Sequence, residues 1–344
     1  MRKLASIRKI DAINPIEGAD AIECATVGGW KVVVKKGEYQ VGDLAVYCEI
    51  DSWIPNQIAP FLSKGKEPRE YEGVKGERLR TVKLRGQLSQ GLLLNLDAVI
   101  PETHSFGEGA DVSEYLNIKK WEAVIPAQLA GEVKGPFPTL IPKTDQERCQ
   151  NLVAEIDAAI EAGTRFEITE KLEGSSMTCY LIDGEFGVCS RNMDLKRNES
   201  NSYWSTAIAE DIEAKMRAIP TGGDFAIQGE LIGPGIQGNI YKLKKTEFRV
   251  FDVYNITGGF YMNPYDRRKL IDMMGLKHVP VLAAQANLFD TLGIKDVEDL
   301  LGFADGNSVM GDITGPLREG VVLKEVNGGF TFKAISNKYL LGEK

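Results

Sequence analysis

Residues 168–177 read ITEKLEGSSM, and they place one lysine, Lys171, between two carboxylates, Glu170 and Glu173, where an apparent strand gives way to a turn of small residues. Taken alone, a K-x-E-G corner of this kind is a solvated strand end. Its surroundings give it weight. The run "RFEITEKL" and the following "MTCYLID" both have strand character, Asp183-Gly184 supplies the turn of a hairpin, and "EFGVCSRN" continues the series.

Upstream, "TDQERCQNLVAEIDAAIEAG" carries Thr144 with Glu147 three residues on, a capping box, while Leu152, Val153, Ile156 and Ile160 form one apolar stripe that ends at Gly163. The pattern predicts a helix from Thr144. Arg148 would lie in its first turn, where the helix dipole suits an anion. Downstream, a helical stretch near 203–217 precedes the strand-like "DFAIQGELIG" and "EFRVFDVYN". "DRRKLIDMMG" and "VEDLLGFADG" read as helices, and "EGVVLKEVNGGFTFKAIS" as two alternating strands about Asn327-Gly328-Gly329. Residues 143–344 are expected to form an α+β domain with antiparallel sheets.

Residues 1–117 read instead as short strands divided by turns: "ECATVGGWKVVVKKGEY" about Gly28-Gly29, "VGDLAVYCEIDSWIP", and "RLRTVKLRGQLSQGLLLNL" about Gly86 and Gly91. So many short strands with few helical periods suggest an all-β, OB-like barrel. Residues 118–142 contain Pro126, Pro136, Pro138 and Pro142 with Gly131 and Gly135, and read as the linker.

Composition narrows the function. With 344 residues the chain suits two domains, and 43% hydrophobic with 26% charged residues is ordinary for a folded protein. No apolar run approaches the ~20 residues that span a bilayer, and no signal-peptide core is read at the N-terminus, so an intracellular, cytoplasmic or nuclear, protein is expected. The five cysteines are scattered without C-x-x-C spacing, which argues against disulfides or structural zinc and for reduced, buried thiols. Two histidines, His104 and His278, leave no material for a histidine dyad or a His-rich metal cage, and His278 in "GLKHVPV" reads as structural. The net charge of −8 argues against indiscriminate polyanion binding and leaves room for a local basic track. Residues 64–85 carry eight Lys/Arg against four Glu, with Tyr71 among them. Arg78, Arg80, Lys83 and Arg85 are its candidates for contact with a nucleic-acid backbone, although a solvated loop has equal claim.

Two phosphate motifs are set aside. Gly233-Pro-Gly235-Ile-Gln-Gly238 matches G-x-G-x-x-G, yet "NIYKLKKTEF" has no helical stripe and no βαβ unit surrounds it; no G-x-x-x-x-G-K-[ST] occurs. What remains is an ordered series: Lys171-Leu-Glu-Gly174, Ser190-Arg-Asn192, Gln228-Gly-Glu230, Phe248-Arg-Val-Phe-Asp252, Glu319-Gly-Val-Val-Leu-Lys324 and Phe332-Lys333. Each element is weak alone. Six in this order resemble the covalent nucleotidyltransferases, the superfamily of ATP-dependent DNA and RNA ligases and mRNA capping enzymes, over essentially all of 140–344.

The resemblance gives the lysine a task, because an amine attacks the α-phosphate of ATP only when neutral. Neighbouring cations lower an amine's pKa, whereas flanking carboxylates raise it, so Glu170 and Glu173 need other tasks. By resemblance, Lys171 is the nucleophile, Glu170 accepts from the adenine amino group, Glu173 holds the hydration shell of Mg2+ or Mn2+, and Glu230 and Glu319 stand around that metal or the ribose, with two ions expected. Lys333 binds the α-phosphate and Lys324 adds to the same field. Phe251 stacks on adenine, with Phe248 the core member of that pair. Arg191 meets phosphate or ribose, and Arg148 grips the β- and γ-phosphates.

Two features depart from the usual pattern. The first motif normally reads K-x-D-G, and Glu173 stands in the aspartate's place; the last normally carries a second basic residue, for which Lys338 is the candidate. The barrel placed before the transferase domain resembles the Naegleria-type RNA ligases, which implies ATP and RNA as partners, no membrane, and sealing of 3′-OH/5′-phosphate ends at nicks in duplex RNA through lysyl-AMP and RNA-adenylate. The alternatives are a ligase acting on DNA or a mixed duplex, and a non-catalytic RNA-binding protein.

Overall fold

The double glycine between the strands Ile22–Val27 and Trp30–Lys35 has a tertiary reason as well as a local one. Gly28 turns the chain with φ +55°, and a Cβ on Gly29 would stand 2.6 Å from the Cα of Gln150. The computed structural model describes residues 3–101, 106–122, 131–220, 223–310 and 315–342; His104 and Pro126 lie outside them. The chain forms two units, Met1–Val124 with Gln150–Val153, and Ile125–Cys149 with Ala154–Lys344. The returning segment is fixed by polar bonds: Gly29 N donates to Gln150 O at 3.0 Å, and the buried indole of Trp30 donates to Asn151 Oδ1 at 2.7 Å.

The first unit is built of short antiparallel strands. Leu44–Cys48 pairs with Ala5–Lys9 and Leu92–Asn95, Ile22–Val27 with Ala12–Pro15 and Trp30–Lys35, and Val74–Arg78 with Ser52–Pro55 and Arg69–Tyr71. A separate hairpin, Val82–Leu84 with Gln87–Ser89, turns at Arg85-Gly86. Alternation sends Ile7, Val46, Cys48 and Ile54 into one core. The proline-rich stretch 118–142 supplies a strand to each unit: Lys119–Lys120 pairs with Ser52–Pro55, and Val133–Pro136 with Met193–Leu195.

The second unit stacks helices and two sheets, with most pairs antiparallel. An eight-stranded sheet runs Val133–Pro136, Met193–Leu195, Glu185–Cys189, Ser175–Ile182, Phe225–Ile232, Glu247–Asn255 and Phe260–Tyr261, with Lys277–His278 beside Glu247–Asn255. Its apolar residues Cys179, Ile227, Phe248 and Val250 are fully buried and share a core with Trp204 and Ile212 from the helices Ser202–Ala209 and Ile212–Arg217 and with Ile271 from Pro264–Met273. A five-stranded sheet runs Glu147–Arg148, Thr331–Ile335, Gly320–Glu325, Arg165–Lys171 and Val281–Asn287. Among the described residues no helix is long and apolar enough to cross a membrane. All five cysteines are buried.

Two expectations are corrected. The helix read from Thr144 begins at Val153 and runs to Glu161, because Glu147–Arg148 pairs in parallel with Phe332-Lys333 at the sheet edge. Glu147 Oε1 accepts from the amide of Arg148 at 2.8 Å, so the capping box is spent on a strand, and Arg148 lies on that strand and not in the first turn of the helix. The helical stretch near 203–217 is two helices broken at Asp211, whose φ is +54°.

Register makes the five-stranded sheet two-faced. Phe166, Ile168, Val321, Leu323, Phe332 and Ala334 alternate onto one side, and all are fully buried. Glu167, Thr169, Lys171, Lys324, Lys333 and Arg148 fall on the other. At one end of that polar face, fully buried Arg267 pairs with Glu167 and lies 3.6 Å from Asp252, Arg268 holds the second oxygen of Glu167 at 2.6 Å, and Lys324 Nζ meets Asp252 at 2.6 Å. His278 Nε2 accepts from Arg267 Nε at 3.2 Å, which leaves the ring proton on Nδ1, facing Val279 O at 2.6 Å. Burial, and then the charges of Arg267, Lys324 and Arg268, push the imidazole down to about 3.

A histidine neutral when folded and free to protonate near 6.5 when unfolded makes the unfolded chain bind the extra proton between those values. Stability is therefore lost as pH falls from about 6.5 toward 3, by about 1.4 kcal/mol per unit from this residue alone. Urea titrations across that range are expected to show a shallower acid limb for His278→Asn; an unchanged slope would show that His278 does not titrate on unfolding.

Candidate active site

The corner after Lys171 is held by close backbone approach. Leu172 packs with Ile232, Tyr241 and Val279, and a Cβ on Gly174 would lie 2.4 Å from Leu231 O and 2.8 Å from Glu230 Cγ. Only glycine allows the turn to press against the strand Phe225–Ile232, and that contact carries Glu230 toward Lys171. Across the five-stranded sheet the register partner of Lys171 is Gly320. Glu319, the residue before it, places Oε1 2.7 Å from Lys171 Nζ.

Burial draws the Lys171 amine down, but the charges of Glu319 and Glu230 and the bond to Glu319 outweigh it, so the amine is raised above its ordinary value; Arg148 opposes them. Glu230 bears the other side of this balance. Burial, with repulsion from Glu319, pushes its carboxyl up to about 8 despite Lys171 and Arg191. With one ammonium between them, the two carboxylates compete for it, and burial makes Glu230 the one whose affinity for a proton rises.

The remaining residues singled out from the sequence lie in different places. Arg148, buried, and Lys333 are neighbours in the parallel register beside this cluster, and Arg191 reaches it from the turn after Glu185–Cys189, with Nη2 on both oxygens of Asp145 at 2.9 and 3.1 Å. Phe251 is the extra residue of a β-bulge: Gln228 pairs with Asp252 and Gly229 with Val250, so Phe251 has no partner across the ladder and turns its ring, half-buried, toward Leu172, Ile232 and Val279. Phe248 is fully buried in the core. Lys324 lies four residues along the strand from Gly320, about 13 Å. It is bound to Asp252, donates to Phe251 O at 2.9 Å and stands 5.7 Å from the Phe251 ring, so it braces the bulge. Burial lowers its amine to about 8 even beside Asp252.

Glu170 and Glu173 part company. Alternation puts Glu170 on the apolar side of the sheet, where Oε2 accepts from Val309 N at 2.8 Å and buried Oε1 has no hydrogen-bond partner among the described residues. Burial raises its pKa. Glu173 has both oxygens engaged, Oε1 by Gly238 N at 3.3 Å and Oε2 by the Tyr339 hydroxyl at 2.8 Å. Sequence reading missed Tyr241, Gly238 and Tyr339. The only signal was the glycine-rich 233–238 stretch, whose loop is followed by no helix and serves Glu173 instead. Lys338 is exposed on the helix Asn337–Leu341.

In the first unit the basic run is partly neutralised from within: Arg69 pairs with Glu77, Lys75 with Glu67 at 2.7 Å, and Arg78 with Asp51 at 2.6 Å while lying 3.7 Å from the Trp121 ring centroid. Arg80, and Lys83 and Arg85 on the hairpin, are exposed.

Comparison with known proteins shows the family. A family profile described as RNA ligase matches residues 164–335, and an OB-fold domain profile matches residues 4–96. No curated protein matches the chain. A solved Naegleria gruberi RNA ligase with PPi is 46% identical over 99% of this chain and 98% of its own, at a TM-score of 0.88. Mutants of that enzyme, one with ATP and Mn and one with AMP and Mn, match at 46% identity over 98% of each chain, also at 0.88. Half the chain under one profile, and a relative nearly half identical along its whole length, place this protein in the RNA ligase family.

Proposed function

We propose that the protein is an ATP-dependent RNA ligase that joins a 3′-OH to a 5′-phosphate, with Lys171 as the residue that carries AMP. The observation that supports this most directly is the Lys171 amine, 2.7 Å from Glu319 and within the fields of Glu230 and Arg148. The related Naegleria structures with ATP, AMP and Mn favour the same ligands here.

The donor set fits a hard divalent cation. Burial and the charge of Glu319 raise the affinity of Glu230 for a positive charge, and a divalent cation would supply it in place of a proton. Among the described residues no group of three or more His, Cys, Asp or Glu is arranged to hold a metal ion, so Glu230 and Glu319 would share the coordination with water and phosphate, as Mg2+ prefers. When bound, such an ion supplies positive charge that offsets these carboxylates and the transferring phosphate.

The chain's own residues do the rest. Glu319 is bonded to the Lys171 ammonium and is placed to accept its proton. The neutral amine attacks the α-phosphorus of ATP, a P–N bond forms, and the bond to pyrophosphate breaks. Arg148 and Lys333, side by side in the sheet, stabilise the charge on the phosphates. Phe251, turned out by its bulge, stacks on adenine, a contact worth roughly 1–3 kcal/mol. AMP then passes to an RNA 5′-phosphate, and an RNA 3′-OH displaces it to form the phosphodiester. The exposed Arg80, Lys83 and Arg85 contact the RNA backbone, and nicks in duplex RNA are the substrate this reading favours.

Incubation with ATP labelled at the α-phosphate, followed by denaturing electrophoresis, should label the wild type and leave Lys171→Ala blank. Label retained by the variant would remove Lys171 as nucleophile. Ligation of nicks ending in a 3′-ribose should exceed that of 3′-deoxyribose nicks; the reverse preference would favour a DNA acceptor. Glu230→Gln is expected to raise the half-saturating Mg2+ concentration by roughly ten- to a hundredfold and to shrink the rise in melting temperature that Mg2+ produces. An unchanged Mg2+ response would take Glu230 out of the cation site.

A further inference from the structure

Glu173 joins three separate parts of the second unit. Its amide donates to the Tyr241 hydroxyl oxygen at 2.7 Å, Oε1 accepts from Gly238 N at 3.3 Å, and Oε2 accepts from the Tyr339 hydroxyl at 2.8 Å. Two of these partners lie on the loop 233–242, which is shaped by left-handed residues at Gln237, Asn239 and Lys242 and closed by Asn239, bonded to Leu243 through both ends of its amide at 3.1 Å. The third lies on the helix Asn337–Leu341. Ser336 caps that helix, accepting from Tyr339 N at 3.1 Å and donating to Asp305 at 2.7 Å, and its amide donates to Glu319 O at 2.9 Å. The same few residues therefore fix the carboxylate that faces Lys171 and the phenol that holds Glu173.

We infer that Glu173 is a positioning residue: with Tyr241, Gly238 and Tyr339 it clamps the Lys171–Gly174 turn and so aims the Lys171 amine, and the C-terminal helix is part of the active site. Side-chain length is the argument. An aspartate would be one C–C bond shorter, about 1.5 Å, which carries a 2.8 Å contact with Tyr339 beyond hydrogen-bond reach. A glutamine keeps the length, accepting from Gly238 N with its oxygen and donating to the Tyr339 oxygen with its amide. This inference rests on the reading of Lys171 as nucleophile.

The test compares Glu173→Asp, Glu173→Gln and Tyr339→Phe in the full chain. Lysyl-adenylate formation at saturating ATP is measured against Mg2+ concentration, and hydrogen exchange of the 337–341 amides is measured without metal or nucleotide. Glu173→Asp and Tyr339→Phe are expected to slow adenylate formation roughly ten- to a hundredfold with unchanged half-saturating Mg2+, and to speed exchange in 337–341, while Glu173→Gln stays close to wild type in both. The opposite order, a normal Glu173→Asp beside an impaired Glu173→Gln that needs more Mg2+, would assign Glu173 to the cation and overturn the clamp. Were wild type to form no adenylate, the proposed ligase activity would be wrong, and the exchange comparison would still decide: unchanged exchange in Glu173→Asp overturns the clamp as well.

Discussion

The structure depends on one ammonium shared by two carboxylates. As the proposed nucleophile Lys171 would act as a neutral amine, yet the residues that surround it stabilise its charged form: Glu319 at 2.7 Å and Glu230 nearby together outweigh both burial and Arg148. Within the cluster these charges satisfy one another. In the proposed reaction, positive charge that takes over the carboxylates would free the amine to react. Proton affinity, not shape, is what separates the two conditions.

The polar face of the five-stranded sheet spreads this principle over its length. At one end lie Lys171, Glu319 and Glu230; at the other, Glu167, Arg267, Asp252 and Lys324 form a buried network that holds the Phe251 bulge. Buried networks of this kind add little net stability but are costly to break, and they fix geometry. Here the fixed feature is the backbone of Phe251, whose carbonyl accepts from Lys324. A strand that ran without the extra residue would point that ring at the opposite side of the sheet.

Much of this was legible in residue order. Strand alternation and the Asp183-Gly184 turn gave the frame about Lys171, and the six dispersed elements, with the arginine of the segment before them, named Glu230, Glu319, Lys333 and Arg148, which the fold brings together. Local rules failed where distant pairing prevailed. Thr144 and Glu147 satisfy the helix-start pattern, but a parallel partner far along the chain, Phe332 for Glu147, makes a strand more favourable. Lys324 shares a motif with Glu319 but not a place, because four residues of extended chain separate the strand's ends. Tyr241 and Tyr339 carry no signature, since an isolated tyrosine gives no sign of what its hydroxyl will meet.

The return of Gln150–Val153 to the first unit has a consequence for how the polypeptide can be divided. Neither unit is one uninterrupted length of chain. A fragment ending anywhere in 118–142 would lack the asparagine that receives the Trp30 indole and the backbone that lies over Gly29, leaving a buried donor without that acceptor. The complementary fragment would carry those residues with nothing to cover.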